Sequence, residues 1–109
     1  MSEFVFLYRG RRPVGTPEEM QAIMQRWIGW MQDLAGKGAL KERGLPLERS
    51  GKVVRGKDKS VAAFADAGDA IGGYSVVTAK DIDHAIELSR GCPILEVGGD
   101  VEVRPAMQM

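Results

Sequence analysis

The clearest alternation of apolar and polar positions lies at the start of the chain. Across residues 3–9, Phe4, Phe6 and Tyr8 fall on one side of an extended strand, and Val5 and Leu7 fall on the other. Both sides are apolar, so such a strand needs cover on both. The period then changes. Thr16, Pro17 and Glu19 supply an N-cap, a proline at the first helical position and the acid of a capping box. Met20, Ile23, Met24, Trp27, Trp30, Met31 and Leu34 recur at helical spacing until Gly36-Lys37-Gly38 ends the run. One long helix is expected there, with a broad apolar stripe that packs on a sheet.

Between Ala39 and Lys59 the periodicity fades. Gly44, Pro46, Gly51 and Gly56 break the chain into short pieces, leaving room for one modest strand around Val53-Val54. A third strand begins at Ser60, either continuous or as a pair with an irregular link at Ala67-Gly68-Asp69, and runs through Ile71 to Thr78. Within it, the pair Gly72-Gly73 allows a bend. Thr78 with Asp81 reads as a capping box ahead of Ile82, Ala85, Ile86 and Ser89, and Gly91-Cys92-Pro93 stops this second helix. Leu95-Glu96-Val97 and Val101-Glu102-Val103-Arg104 flank Gly98-Gly99-Asp100, which reads as a last strand or short hairpin. The order βαββαβ implies an α+β, ferredoxin-like sheet with both helices on one face. The first strand would then leave an apolar patch on the other face, and a homodimer packed sheet to sheet would cover it.

Length and charge narrow the picture. With 109 residues the chain is sized for one domain spanning 1–109, and 15 basic residues balance 15 acidic ones. No overall field draws it to nucleic acid or to a membrane surface. The basic positions Arg49, Lys52, Arg55, Lys57 and Lys59 lack interleaved aromatics for base stacking, and Glu48 and Asp58 dilute them, so a solvated loop is expected. A single cysteine, Cys92, permits no intrachain disulfide and fits a reducing cytoplasm. Nothing in the first residues resembles an export signal or a membrane span.

Candidate chemistry is sparse. His84 is the only histidine, a residue type suited to general-base chemistry, but its place in the first turn of the second helix suits a solvated residue. Cys92 follows a helix C-terminus, whose dipole disfavours a thiolate, and reads as structural. One His and one Cys do not make a metal site, and no cofactor is implied. Trp27 and Trp30, three residues apart, either fill the helix–sheet core or wall a ligand pocket. Arg104 offers a fork for a carboxylate or phosphate, or an ordinary cross-strand ion pair.

Several segments together resemble the YCII-related, or DGPF-domain, family. They are the opening Phe4-Val5-Phe6-Leu7-Tyr8-Arg9-Gly10, Pro17-Glu18-Glu19, Trp27 with Trp30, Gly72-Gly73-Tyr74, Ala79-Lys80-Asp81-Ile82-Asp83, Cys92-Pro93 and Val101-Glu102-Val103-Arg104-Pro105. The resemblance implies a dimeric α+β barrel with a cleft near the sheet interface of each protomer. One departure stands out. Phe64 lies ten residues before Tyr74, as the family's motif requires, but Val61-Ala62-Ala63 replace Asp-Gly-Pro, and Gly68 stands where a lysine is usual. Some relatives have a histidine on the first helix; this chain has Trp27 or a neighbour in that region. The expectation is a homodimer that binds a small polar or aromatic metabolite through Arg9, Trp27, Asp66, Tyr74 and Arg104, with a reaction left open. Two alternatives are an interaction module associated with transcription regulators and a non-catalytic member that keeps only the fold.

Overall fold

In a computed structural model, the protein is described over residues 1–10, 15–65 and 70–109. Its elements are β1 (Ser2–Arg9), α1 (Pro17–Gly36), β2 (Leu40–Glu42), β3 (Lys52–Arg55), β4 (Ser60–Ala63), β5 (Ile71–Ala79), α2 (Ile82–Ser89), a short 3-10 helix (Pro93–Val97) and β6 (Asp100–Pro105). Four strands form an antiparallel sheet in the order β2–β5–β1–β6, while β3 and β4 form a separate hairpin. The fold is ferredoxin-like: β1, α1, β2, β5, α2 and β6 make the frame, and the hairpin is inserted between β2 and β5.

The pleat of β1 builds the core. Phe4, Phe6 and Tyr8 are all buried beneath the helices with Trp30, Leu34, Val77, Ala85, Leu88 and Cys92. Phe6 is fully enclosed and stacks on Trp30, with ring centroids 6.2 Å apart and planes 13° apart. Trp30 Nε1–H donates to the carbonyl of Leu88 at 3.3 Å, which fastens α1 to α2 and gives the buried indole a partner. Among the described residues, no helix is long and apolar enough to cross a membrane.

The first helix begins as its sequence predicts: Thr16 accepts from the Glu19 N–H, and the Glu19 side chain accepts from the Thr16 N–H. Three other expectations change. The framework's second strand is Leu40–Glu42, not the stretch around Val53-Val54, which pairs with Ser60–Ala63 in the hairpin. With three residues and one apolar side chain, β2 has no periodicity to read; pairing with β5 creates it. The N-cap of α2 is Asp81, whose carboxylate accepts the His84 N–H at 2.8 Å. Thr78 is still within β5, and its hydroxyl turns to the carbonyls of Gly38 and Ala39 instead. Leu95, Glu96 and Val97 belong to the 3-10 helix, which Pro93 starts and Gly98, at φ +84°, ends. The expected irregular link at Ala67-Gly68-Asp69 lies outside the described residues.

Gly38 and Gly44 share φ +72°, but a Cβ on Gly38 meets nothing within 4 Å, whereas one on Gly44 would lie 1.8 Å from the Tyr74 carbonyl oxygen. Gly38→Ala should therefore lower urea-unfolding stability by about 1–2 kcal/mol, the left-handed backbone cost alone. Gly44→Ala should cost more than about 3 kcal/mol, because backbone must move as well. Equal losses would show that the close approach at Gly44 is not a constraint.

Candidate functional site

One end of the helix-covered face is hollow. Tyr8 of β1, Ile23, Trp27 and Met31 of α1, the segment between β2 and β3, and Gly72, Gly73, Tyr74 and Ser75 of β5 line a cavity of about 290 Å³, with Ile94 and Val97 from the 3-10 helix completing it. That volume is near the lower end for small-ligand sites, which start at about 300 Å³.

The aromatic wall continues the core. Tyr8 meets Trp27 edge to face at 4.9 Å and 82°, and Trp27 meets Trp30 at 5.8 Å and 77°. Trp30 is buried, whereas Trp27, one helical turn earlier, is only partly covered and reaches the cavity. Helical spacing alone could not separate these two roles.

The opposite wall is a non-regular segment held against β5. Leu47 N–H donates to the Gly72 carbonyl at 2.8 Å, and Pro46 bridges to Gly73. A Cβ on Gly73 would crowd the Leu45 carbonyl at 3.2 Å and Pro46 Cα at 3.4 Å, so the glycine pair, expected to let the strand bend, instead lets this segment lie close to it. Tyr8 O–H donates to Ser75 Oγ at 2.8 Å, and Ser75 Oγ–H donates to the Arg43 carbonyl at 2.6 Å. This chain of bonds runs from β1 through β5 to the start of the segment. Arg49 closes the rim by donating to the Gly10 carbonyl at 3.1 Å. The Arg43 side chain is exposed, with no hydrogen bond or ion pair among the described residues.

Of the residues expected at a ligand site, the fold brings Trp27 and Tyr74 to the cavity. Arg9 and Arg104 do not line it. They lie on the helix-free face of the sheet, where Glu102 accepts from both, at 3.1 Å from Arg104. Arg9 Nε is enclosed there without a hydrogen-bond partner among the described residues. Asp66 falls outside the described residues. Sequence reading missed Tyr8, Arg43 and Ser75 as cavity residues. Tyr8 was legible only as a core position of its strand, and Arg43 sits in the stretch where periodicity fails.

Outside the cavity, His84 and Cys92 have structural surroundings. His84 Nδ1 accepts the Lys80 backbone N–H at 3.0 Å, within the cap of α2. The Cys92 thiol is buried, and burial pushes its pKa from 9.0 up to about 12, against a smaller opposing hydrogen bond from the Ile94 backbone. Burial likewise drives the Tyr8 phenol well above its usual value, with the Ser75 bond opposing, so Tyr8 is a neutral hydrogen-bonding group. Among the described residues, no three histidines, cysteines or carboxylates gather as a metal site.

A family model described as the YCII-related domain matches residues 3–109. No curated protein matches the chain. Seven chains of solved structure match. Among them is 5-chloro-2-hydroxyhydroquinone dehydrochlorinase (TftG) from Burkholderia phenoliruptrix AC1100, in complex with 2,5-dihydroxybenzoquinone. The two are 18% identical with a TM-score of 0.56, over 98% of this chain and 95% of that one. At that identity the likeness is one of fold.

The buried thiol carries a pH dependence. Above pH 9.0 the unfolded chain releases the Cys92 proton while the folded chain retains it up to about 12, so the unfolded state binds fewer protons and stability falls as pH rises through this window. Urea midpoints should decline in alkali, and Cys92→Ala should flatten the decline that starts near pH 9 by up to about 1.4 kcal/mol per pH unit. Superimposable declines in the two proteins would clear the thiol of any part in it.

Proposed function

The chain belongs to the YCII-related domain family, and on that footing we propose that it binds a small, largely aromatic metabolite in the cavity between α1 and β5. The observation that carries this is the aromatic corner of Tyr8 and Trp27, which faces a half-open space of about 290 Å³ that no side chain among the described residues fills. Perpendicular rings offer one flat face and one edge to a planar guest. Backbone groups of the segment packed on β5 and the Arg43 side chain supply polarity at the rim. Trp27 and Tyr74 keep the ligand role expected of them, and Tyr8 and Arg43 join them.

The dehydrochlorinase of like fold, known with 2,5-dihydroxybenzoquinone bound, supports the reading as an analogy of fold, since it shows the architecture together with a small oxygenated ring. Binding, not turnover, is the function proposed. The described lining holds no histidine and no carboxylate, and of its two phenols that of Tyr8 is kept neutral by burial.

A homodimer belongs to the same proposal. Val5, Leu7 and Val76 are partly exposed on the face of the sheet that no helix covers, framed by the Lys41–Glu3 pair and by Glu102 with its two arginines. A second copy laid sheet to sheet would remove this apolar strip from water. A cytoplasmic location goes with it, supported by the unpaired thiol of Cys92.

A thermal-shift screen against aromatic metabolites should return a ligand that raises the melting midpoint, because a ligand specific to the folded state stabilises it. Trp27→Ala should weaken that ligand by about tenfold or more while the protein remains folded. Ligands that bind the Trp27→Ala variant with parental affinity would place the site elsewhere. In sedimentation equilibrium the parent should be a dimer and Val76→Lys a folded monomer; a monomeric parent removes the dimer from the proposal.

A further inference from the structure

We propose that the cavity's ligand is an aromatic carboxylate whose charged group is bound by Arg43. This rests on the cavity being the ligand site, and it adds the ligand's charge and the residue that selects it.

The first support is a local imbalance of charge. The chain as a whole has 15 basic and 15 acidic residues, yet the described residues that line the cavity include Arg43 and Arg49 and no aspartate or glutamate. Among the described residues the charged lining is of one sign, and a concave lining of one sign concentrates ligands of the other. The two arginines are not equivalent. Arg49 has a structural task, holding the Gly10 carbonyl at 3.1 Å across the rim. Arg43 has no such task, since its side chain is exposed and makes no hydrogen bond or ion pair among the described residues.

The second support is that the backbone under Arg43 is held in place while its side chain is left over. Its carbonyl accepts from Ser75 Oγ at 2.6 Å, and Ser75 in turn accepts from Tyr8 at 2.8 Å. The next residue, Gly44, takes φ +72° so that it can lie against the Tyr74 carbonyl. A guanidinium carried on an immobile backbone loses less freedom on binding than one on a free loop.

The third support is the match of shapes. The ring of the ligand would lie against Trp27 and Tyr8, and a carboxylate attached to it would meet the guanidinium edge on. That fork pairs two N–H donors with two coplanar oxygens, which suits a carboxylate. A phosphate would call on the further donors of a helix N-terminus or a glycine nest, and α1 instead presents the middle of its length here through Ile23, Trp27 and Met31.

The test is a titration of the full-length protein by tryptophan fluorescence with benzoate, 4-hydroxybenzoate and phenylacetate, each beside its neutral amide. At least one acid should bind about tenfold or more tighter than its amide, as expected for a hydrogen-bonded charge pair at a partly exposed site. Arg43→Gln should bring that acid down to the affinity of its amide and leave the amide unchanged, and Arg43→Lys should keep part of the preference. Melting midpoints of both variants should equal the parent's, since the side chain they alter carries no structural bond. Equal binding of acid and amide by the parent would overturn the anionic class while leaving the cavity as the site. A preference that survives Arg43→Gln would overturn the role of Arg43. Failure of every acid and every amide to bind would overturn the cavity reading and this inference with it.

Discussion

Through the contact between the aromatic edge of β1 and one turn of α1, both helices are set on the sheet. Phe6 stacks on Trp30, and Tyr8 stands edge-on to Trp27 and Trp30. These four large rings are joined in a chain of contacts, and each Å² of apolar surface they remove from water stabilises the fold by about 25 cal/mol. Trp30 extends the contact to α2 by its bond to the Leu88 carbonyl, and the space left beside Gly91 admits the indole, since a Cβ there would lie 3.0 Å from it. Both helices are therefore registered on the sheet by one side chain.

The cavity is the place where this aromatic packing runs out. Trp30 is enclosed by β1 and α2, whereas Trp27 has Tyr8 on one side and open volume on the other. The far wall comes from a segment with no regular structure, and only close approach to β5 gives it a fixed position. Glycine is required there in two senses: Gly44 for a left-handed backbone pressed on a carbonyl, and Gly73 to let Leu45 and Pro46 come near. The bonds from Tyr8 to Ser75 to Arg43 secure the same wall from within, and burial keeps the phenol protonated so that it can donate. A site built in this way is rigid in backbone and variable in the side chains at its rim.

The helix-free face follows from the same pleat. Because successive side chains of a strand point to opposite faces, placing Phe4, Phe6 and Tyr8 in the core obliges Val5, Leu7 and Arg9 to face away from it. Antiparallel pairing then sets Val76 beside Val5, and Glu102 beside Leu7. The ion pairs of Arg9 and Arg104 with Glu102 are a result of that register. The same alternation is the reason these two arginines, though polar residues on sheet strands, lie on the opposite side of the sheet from the cavity.

Features that depend on neighbours within a turn or a pleat could be read from the residues directly. The capping box at Thr16, the length of α1, the alternation of β1 and the stop at Cys92-Pro93 all rest on residues a few positions apart, as does the ferredoxin-like order of elements. Trp27 and Tyr74 were legible as candidates because their motifs are local. Tertiary structure alone decided that three residues at Leu40–Glu42 would be a framework strand, and that the strand around Val53-Val54 would leave the sheet for a hairpin. It alone separated Trp27 from Trp30, and it alone brought together Tyr8 and Ser75, 67 residues apart, and Ser75 and Arg43, 32 apart. Periodicity reports which face of an element is apolar; which distant element meets that face, and where the meeting leaves a gap, depends on pairing register and on the shapes of all the side chains packed at once.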